Sequence, residues 1–306
     1  MLRESFIRYL TTEKQVSSHT LSAYLRDLDK CAAFFATKKK DLFDTEQIQA
    51  IHHRELRAWL GAVKKEGLSS RSLGRHLSSV KTYFKFLRNS QYLEHNPAAN
   101  LSLPRSTSQL PVFLKEAETE RLFGADLFPA SFTGKRDQSI MELLYGCGLR
   151  REELIQLTHE GVALRERQLK VVGKRSKERI IPFGKHVMEA LETYLQYKRE
   201  KGLPPEGPLL VRKGGEPLYP KLVYRVVQKY LSVAANVSKR SPHVLRHTFA
   251  THLLNRGADI NAIKEMLGHE SLAATQVYTH TSIEKLKDTH KQAHPRASKG
   301  ASKDKS

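Results

Sequence analysis

A histidine and an arginine lie three residues apart at the start of one predicted helix, in the stretch SPHVLRHTFATHLL. Ser241 is a favourable N-cap, and Pro242 suits the first helical position. His243 and Arg246 therefore share one face near a helix N-terminus, which itself favours anions. These residue types at this spacing indicate a site for a phosphate group.

The same helix offers a second interpretation, because His243 and His247 have the i, i+4 spacing of a zinc-binding helix. The glutamate of the HExxH motif is absent, and the fixed positive charge of Arg246 between the two histidines opposes a cation. No cluster of cysteines or carboxylates in the sequence completes a ligand set. We therefore predict no metal site on this helix.

Three further stretches carry residues that can act on a phosphate. Arg150 follows the Gly-x-Gly turn of GCGLRREEL, with Glu153 on the same helical face, although such a pair usually only supports a surface helix. Lys174 is at the tip of a predicted β-turn in VVGKRSKERIIP, where a basic side chain is commonly just solvated. Tyr278 lies nine residues after His269 in GHESLAATQVYTHTS, and a lone tyrosine is usually a packing residue. Each stretch alone leaves a structural and a catalytic interpretation open.

The net charge of the chain narrows the class of partner. Over 306 residues, 52 Lys and Arg face 32 Asp and Glu, which gives a net charge of +20. Such an excess repels itself unless a polyanion shares the surface, and nucleic acid is the commonest such polyanion. An anionic membrane is the alternative partner, but no basic amphipathic anchor is evident.

The apolar segments and the cysteines indicate the compartment. No run of eighteen apolar residues occurs, and the N-terminal stretch MLRESFIRYL lacks the apolar core of a signal peptide. Cys31 and Cys147 form no CxxC pair and lie among apolar residues, so we expect two small buried hydrophobes and no disulfide. We therefore predict a cytoplasmic protein.

Residues 1–103 are predicted to form an all-helical unit of about four helices. Ser17 or Ser18 caps a helix whose apolar residues recur at helical spacing, and a later amphipathic helix stops at Gly67. Basic residues on the last helix of this unit are candidate DNA contacts, with a merely solvated face as the alternative. These candidates are Arg71, Arg75, Lys81, Lys85 and Arg88.

A linker and a second, mixed unit follow. The Pro- and Ser-rich stretch 104–111 breaks the helical periodicity and is predicted to join two domains. Residues 112–296 combine helices with a β-hairpin, whose apolar strand residues flank a basic turn. The predicted fold is therefore mainly α with a small β-sheet. The tail 297–306 is rich in Ser and Lys, and we expect it to be disordered.

Taken in order along the chain, these motifs resemble the tyrosine recombinase (phage integrase) family, whose signature is Arg, Lys, His-x-x-Arg, His or Trp, and Tyr. The matching segments are GCGLRREEL, VVGKRSKERIIP, SPHVLRHTFATHLL and MLGHESLAATQVYTH, and the likeness extends over essentially the whole chain. The stretch YTHTSIEKLKDTHKQAHPRA is similar to the bacterial Xer subgroup, XerD and XerC. Cys147 stands where Thr or Ser is more usual, and the tail extends past the usual end.

The resemblance implies a helical SAM-like core-binding domain and a mixed α/β catalytic domain around a DNA duplex. It implies cleavage through a 3′-phosphotyrosyl intermediate and exchange through a Holliday junction, without metal, nucleotide or other cofactor. Four protomers would assemble on two recombination sites, alone or with a second Xer recombinase. A C-terminal helix would dock into the neighbouring protomer, and SIEKLKDTHKQAH is the candidate.

The Xer likeness also implies a cellular role. Xer proteins typically resolve chromosome dimers at a short dif-like site with the septal DNA translocase FtsK, which would place this chain at the nucleoid. A mobile-element integrase with the same chemistry, a catalytically silent DNA-binding protein and a type IB topoisomerase-like enzyme are the alternatives.

The resemblance assigns Tyr278 as the nucleophile. Because a free tyrosine has a pKa of ~10, the phenol needs nearby positive charge or a base. Arg150 and Arg246 would clamp the non-bridging oxygens of the phosphate, where negative charge develops in the transition state.

The remaining positions receive supporting roles from the same resemblance. His269 would donate a further hydrogen bond to the phosphate, and His243 would exchange protons near neutral pH. Lys174 would protonate the departing 5′ oxygen. Glu153 would orient Arg150 or His243.

Overall fold

The computed structural model describes residues 1–103, 112–124, 127–173, 178–268 and 280–296. For Arg71 and residues 280–285 it describes the backbone alone. The chain divides into two compact units, Met1–Gln109 and Leu110–Ser306. The predicted linker 104–111 and the predicted disordered tail 297–306 lie outside the described residues, so the domain boundaries stay predictions.

The N-terminal unit is helical, as its apolar spacing predicts. Its α-helices are α1 (Leu2–Arg8), α2 (Ser18–Ala36), α3 (His53–Lys65) and α4 (Ser70–Asn89), with a π-helical turn at Tyr9–Glu13 and a 3₁₀ turn at Gln47–Ala50. Ser17 caps α2, because its side chain accepts the N–H of Thr20. The chain leaves α3 through Gly67, whose φ of +80° is a left-handed conformation that glycine adopts without strain.

Aromatic side chains fill the core of the N-terminal unit. Trp59, Tyr83 and Phe84 are fully buried, together with Phe6 and Phe35. The Phe6 ring meets the Tyr83 ring edge-on, with 5.1 Å between the centroids. Such packing stabilises beyond area burial alone and holds α4 as a fixed platform for the side chains on its exposed face.

The C-terminal unit combines further helices with one antiparallel sheet in the order β1-β2-β3. The helices are α5 (Glu116–Gly124), α6 (Phe132–Gly146), α7 (Arg151–Gln156), α8 (Lys185–Glu200), α9 (Pro220–Ala234), α10 (Pro242–Asn255), α11 (Ile260–Leu267) and α12 (His280–Ala293). The strands are β1 (Val162–Ala163), β2 (Gln168–Val172) and β3 (Glu178–Pro182). The predicted hairpin is thereby confirmed. Strand β1 was not expected, because two residues are too few for a period to show.

Helix α6 forms the centre of the C-terminal unit and positions the chain that follows it. It packs against α8 and α10, and its residues from Ser139 to Gly146 are all buried. Gly148, two residues past the helix, has a φ of +59°, and a Cβ there would lie 2.5 Å from the Phe249 ring on α10. A glycine is therefore required where the chain passes α10 on its way to Arg150.

Both cysteines are free and fully buried, as predicted. Burial raises the pKa of the Cys31 and Cys147 thiols, so both remain protonated and act as small apolar side chains.

Helix α12 packs against β3, α10 and α11 of its own unit, and its docking into a neighbouring protomer stays a prediction. His290 Nε2 lies 2.9 Å from the carbonyl oxygen of Gly146, and Ala293 and His294 are buried in the same core. Arg296 closes this contact with a 2.6 Å ion pair to Glu142, which is also buried. The sequence pattern missed this arrangement, because histidines on a helix with a polar face do not signal burial.

In the part of the chain that the structure describes, no helix is both long and apolar enough to cross a lipid bilayer.

Candidate active site

Four charged side chains from separate elements meet in the C-terminal unit. Arg150 is the N-cap of α7, Glu153 lies in the first turn of that helix, Arg179 is on β3, and Arg246 is on α10. We call this set the Glu153 cluster, because the carboxylate of Glu153 is its centre.

The Glu153 carboxylate is fully engaged by arginine donors. Its Oε1 accepts from Nη1 of Arg150 and Nη1 of Arg179, each at 2.8 Å. Its Oε2 accepts from the backbone N–H of Arg150 and from Nη2 of Arg179, again at 2.8 Å. Glu153 and Arg179 are each 5% exposed, so they form a buried, bidentate ion pair. Nη1 of Arg246 lies 3.9 Å from Oε2.

The arginines determine the ionisation of this carboxyl. Burial opposes the charged form, but the hydrogen bonds and charge of Arg179, with the hydrogen bonds from Arg150, outweigh it and lower the pKa of Glu153 to about 2. Glu153 is therefore a carboxylate at neutral pH, and it can hold Arg150 and Arg179 in place.

The same three arginines cap the C-terminal end of α11. Nε of Arg179, Nη2 of Arg246 and Nη2 of Arg150 donate to the carbonyls of residues 266, 267 and 268 in that order, at 2.8, 2.6 and 3.0 Å. The last carbonyls of a helix lack intrahelical partners and carry the negative end of its dipole. Gly268 ends the helix in a left-handed conformation with a φ of +63°. The chain that enters His269 therefore starts from a point fixed by three guanidiniums.

Arg246 is held from a second side. Its Nη1 also donates to the carbonyl of Gly148 at 2.6 Å, and the residue is only 8% exposed. Burial and the neighbouring charge of Arg150 lower the pKa of Arg246 to about 9, although the carboxylate of Glu153 acts in the opposite direction. The guanidinium is still protonated at neutral pH.

The cluster carries surplus positive charge. Three guanidiniums against one carboxylate leave two positive charges among these four side chains. The Arg150 side chain keeps 30% of its surface exposed, so an anion can approach it. Fixed cations held by backbone and carboxylate partners need little reorganisation when negative charge develops beside them.

Comparison with known proteins connects this site to a family. Residues 112–285 match the phage integrase family, and residues 4–91 match the phage integrase N-terminal SAM-like domain. The tyrosine recombinase XerC of Chlorobaculum tepidum is 35% identical over 95% of this chain and 94% of that protein. The tyrosine recombinase XerD of Proteus mirabilis is 36% identical over 96% of this chain and 92% of that protein.

The chain belongs to the phage integrase family. It is a tyrosine recombinase, an enzyme of site-specific DNA cleavage and rejoining, and it is Xer-like. The structure of the XerH site-specific recombinase bound to palindromic difH substrate, a post-cleavage complex, covers 89% of this chain and 79% of its own with a TM-score of 0.69. At 21% identity this likeness concerns the fold, and it confirms the predicted class, mainly α with a small sheet.

The structure describes half of the predicted catalytic residues of this tyrosine recombinase. Arg150 and Arg246 come together at the carboxyl end of α11, while His243 is exposed at the first turn of α10, and the catalytic roles of all three stay predictions. Ser241 is the N-cap of that helix, as expected, but its side chain makes no capping hydrogen bond. The other three predictions lie outside the described residues and stay predictions: Lys174, His269 and Tyr278.

Glu153 contacts Arg150, one of the two partners that the resemblance implies for it, through both its side chain and its backbone N–H. This double contact makes Glu153 an acceptor for the first turn of α7 as well as an orienting partner.

Arg179 is not among the residues predicted for the site. The alternation of side chains along β3 could have indicated its burial, because residues 179 and 181 lie on one face of the strand and residue 180 on the other. Ile181 is fully buried, so a charged residue on its face needs a buried partner. The sequence does not reveal that this partner is Glu153, 26 residues earlier on another element.

One of the two histidines in the zinc interpretation of α10, His247, contacts an aromatic ring. His247 lies against Phe113, with 6.2 Å between ring centroids and the rings nearly perpendicular. Among the residues that the structure covers, no group of three or more His, Cys, Asp or Glu side chains is arranged to hold a metal ion.

The predicted DNA contacts of the N-terminal unit lie on α4. Lys85 and Arg88 are exposed, Lys81 is half-buried, and Arg71 is described by its backbone alone. The guanidinium of Arg75 forms a 2.5 Å ion pair with the buried carboxylate of Asp27 on α2. Arg75 therefore joins two helices of its own unit, whatever else it contacts, and the DNA-binding roles stay predictions.

Proposed function

We propose that this chain cleaves one DNA strand with Tyr278 as the nucleophile and with Arg150 and Arg246 as the clamp on the scissile phosphate. The observation that supports the proposal is the Glu153 cluster, in which two arginines predicted from sequence are held side by side with surplus positive charge. The end of α11 is capped by the same arginines, and it leads directly to His269.

The chemistry follows from these charges. The phenolic oxygen of Tyr278 forms a bond to phosphorus as the bond between phosphorus and the 5′ oxygen breaks, which leaves a 3′-phosphotyrosyl link. Negative charge grows on the non-bridging oxygens, and the Arg150 and Arg246 guanidiniums stabilise it. The energy of the broken phosphodiester is kept in the protein–DNA bond, so a DNA 5′ hydroxyl can attack it and reseal the strand.

Three further residues complete the proposed mechanism. Lys174 supplies the proton that the departing 5′ oxygen needs. His269 donates a hydrogen bond to the phosphate, and His243, exposed at the start of α10, exchanges a proton with the tyrosine or the phosphate. The reaction so drawn uses no metal and no cofactor.

The cellular role that we propose is Xer recombination of a chromosomal, dif-like site in the cytoplasm, at the nucleoid. The likeness to proteins named XerC and XerD over almost the whole chain supports it. In this proposal four protomers act on two DNA sites through a Holliday junction, either alone or with a second Xer recombinase, under the septal translocase FtsK.

Trapping of a covalent adduct tests the proposal. The protein is incubated with fragmented genomic DNA of its source in EDTA, denatured, and examined for DNA that stays bound. Tyr278→Phe removes the proposed nucleophile, and Tyr224→Phe, a half-exposed tyrosine on α9, is the matched control. We expect an adduct with wild type and Tyr224→Phe alone. An adduct with Tyr278→Phe would refute the proposal that Tyr278 is the nucleophile.

The sequence of the trapped DNA tests the cellular role. A single recurring chromosomal site supports Xer recombination, whereas the ends of a mobile element would show that the chain is an integrase with the same chemistry. Tight DNA binding without an adduct, even with a second Xer recombinase added, would favour a silent DNA-binding protein.

A further inference from the structure

All three guanidinium nitrogens of Arg179 donate hydrogen bonds to other groups of the protein. Its Nη1 and Nη2 bind the two oxygens of Glu153, and its Nε binds the carbonyl of Met266, all at 2.8 Å. The residue is 5% exposed. It is therefore not placed to bind a DNA phosphate itself, and its effect on the site must pass through the groups that it holds.

The first such group is the Glu153 carboxylate. Arg150 binds the same carboxylate, and Arg246 lies 3.9 Å from it. With Arg179 present, the carboxylate is neutralised by a residue that takes no part in binding the phosphate. Without Arg179, the full negative charge of Glu153 would be set against Arg150 and Arg246 and would reduce their attraction for an anion.

The second group is the end of α11. Arg179 takes the carbonyl of Met266, while Arg246 and Arg150 take the next two carbonyls. A Cβ on Gly268 would lie 3.2 Å from Cδ of Arg179, so the arginine also lies directly against the residue before His269. One side chain thus joins strand β3, the start of α7 and the end of α11.

We propose that Arg179 is a positioning residue of the strand-cleavage site. It neutralises Glu153 and fixes the end of α11, so that Arg150 and Arg246 keep both their charge and their geometry for the scissile phosphate. This inference rests on the proposed function of Arg150 and Arg246 as the phosphate clamp.

The test compares cleavage with binding in four variants. Single-turnover adduct formation is measured on a nicked duplex of the trapped DNA site, and the Kd for the intact site is measured by gel shift at the same salt concentration. The variants are Arg179→Gln, Arg179→Lys, the double variant Arg179→Gln with Glu153→Gln, and Arg136→Lys. Arg136 is the matched control, because it is also a buried arginine in an ion pair, with Asp137 on α6.

We expect Arg179→Gln to slow adduct formation by on the order of 100-fold, because an unneutralised carboxylate weakens the electrostatic stabilisation. The Kd for DNA stays within about threefold, since one buried charge contributes little to phosphate contacts. Arg179→Lys keeps the charge but loses the fork, so its rate falls between wild type and Arg179→Gln. Arg136→Lys cleaves at the wild-type rate.

The double variant separates positioning from general structural support. Removing the Glu153 charge as well means that no unneutralised carboxylate reduces the attraction of Arg150 and Arg246 for the phosphate. The double variant therefore forms the adduct at least about tenfold faster than Arg179→Gln. A residue needed only for folding would give a double variant no faster than the single one. Circular dichroism checks that each variant is folded. If Arg179→Gln does not fold, the rate of adduct formation by Arg179→Lys is compared with that of Arg136→Lys instead.

Two results overturn the inference. One is Arg179→Gln or Arg179→Lys cleaving as fast as Arg136→Lys, and the other is a double variant that shows no recovery. A wild-type protein that forms no adduct at all refutes the proposed function instead, so the two failures are distinct.

Discussion

Replacing Glu153 by glutamine removes the negative charge at the centre of three guanidiniums while keeping the shape of the side chain. The pKa of this carboxyl is lowered from 4.5 to about 2 in the folded protein. Folding therefore favours the carboxylate over its neutral form by about 3 kcal/mol at neutral pH. We expect Glu153→Gln to lower the free energy of unfolding of the C-terminal unit by about 3 kcal/mol, since it leaves the buried Arg179 without its partner.

Hydrogen exchange followed by mass spectrometry measures this effect in the full chain. Peptides from α6 and α10 report the free energy of opening of the C-terminal unit. The fluorescence of Trp59, the single tryptophan of the chain, reports the N-terminal unit, which the substitution leaves unchanged. Glu152→Gln is the matched control, because the neighbouring Glu152 side chain is 57% exposed and pairs with Arg151 at the surface. Its cost is below about 1 kcal/mol.

The dependence on pH supplies an independent check of the same reasoning. Because the pKa of Glu153 is lowered in the folded state, the stability from its charge is fully present above pH 4.5 and is lost as pH falls toward 2. Wild type and Glu153→Gln therefore converge in acid. Equal costs for Glu153→Gln and Glu152→Gln at neutral pH would refute the view that the cluster is held by charge.

The remaining predictions concern Arg246 of the proposed phosphate clamp, one glycine and one pair of histidines. Arg246→Lys replaces a two-donor fork by a point charge, so adduct formation falls by on the order of 100-fold while the gel-shift Kd changes little. Gly268→Ala strains a residue at φ +63° beside Arg179 and lowers the unfolding free energy of its unit by about 1–2 kcal/mol, whereas Gly61→Ala, with nothing within 4 Å of its Cβ, stabilises α3. Thermal unfolding measures both. Burial lowers the pKa of His290 to about 4 and the pKa of His294, whose ring stacks on it, well below its usual range, so the C-terminal unit loses stability as pH falls from 6.5 to 4. Urea titrations across that range measure the loss, and a flat response would contradict two buried, neutral histidines.

Local signals in the sequence predicted the helices and part of the site. Ser17 caps α2 where the sequence places an N-cap, and β2 pairs with β3 as the two strands of the predicted hairpin. Arg150 and Arg246 were identified because each stands at the start of a helix in a recognisable motif. Periodicity and capping are properties of a few neighbouring residues, so they can be read before the fold is known.

Long-range partners could not be read in this way. The partners of Arg179 are Glu153, 26 residues earlier, and the carbonyl of Met266, 87 residues later, and no spacing rule connects them. The burial of His290 against Gly146 is a contact across 144 residues. Such pairs are set by how the elements pack, and sequence reasoning shows only that a charged or polar residue on an inward face must have a partner.

The capping of α11 by three different arginines has a consequence for how the length of the chain can vary. One residue inserted between Leu267 and Gly268 would displace a carbonyl by about 3.8 Å, beyond the hydrogen-bonding reach of its guanidinium. The same insertion in the largely exposed turn at residues 201–207 would disturb no side chain of the Glu153 cluster. Insertions and deletions that leave recombination intact are therefore expected in exposed turns such as residues 201–207, while the end of α11 keeps its length.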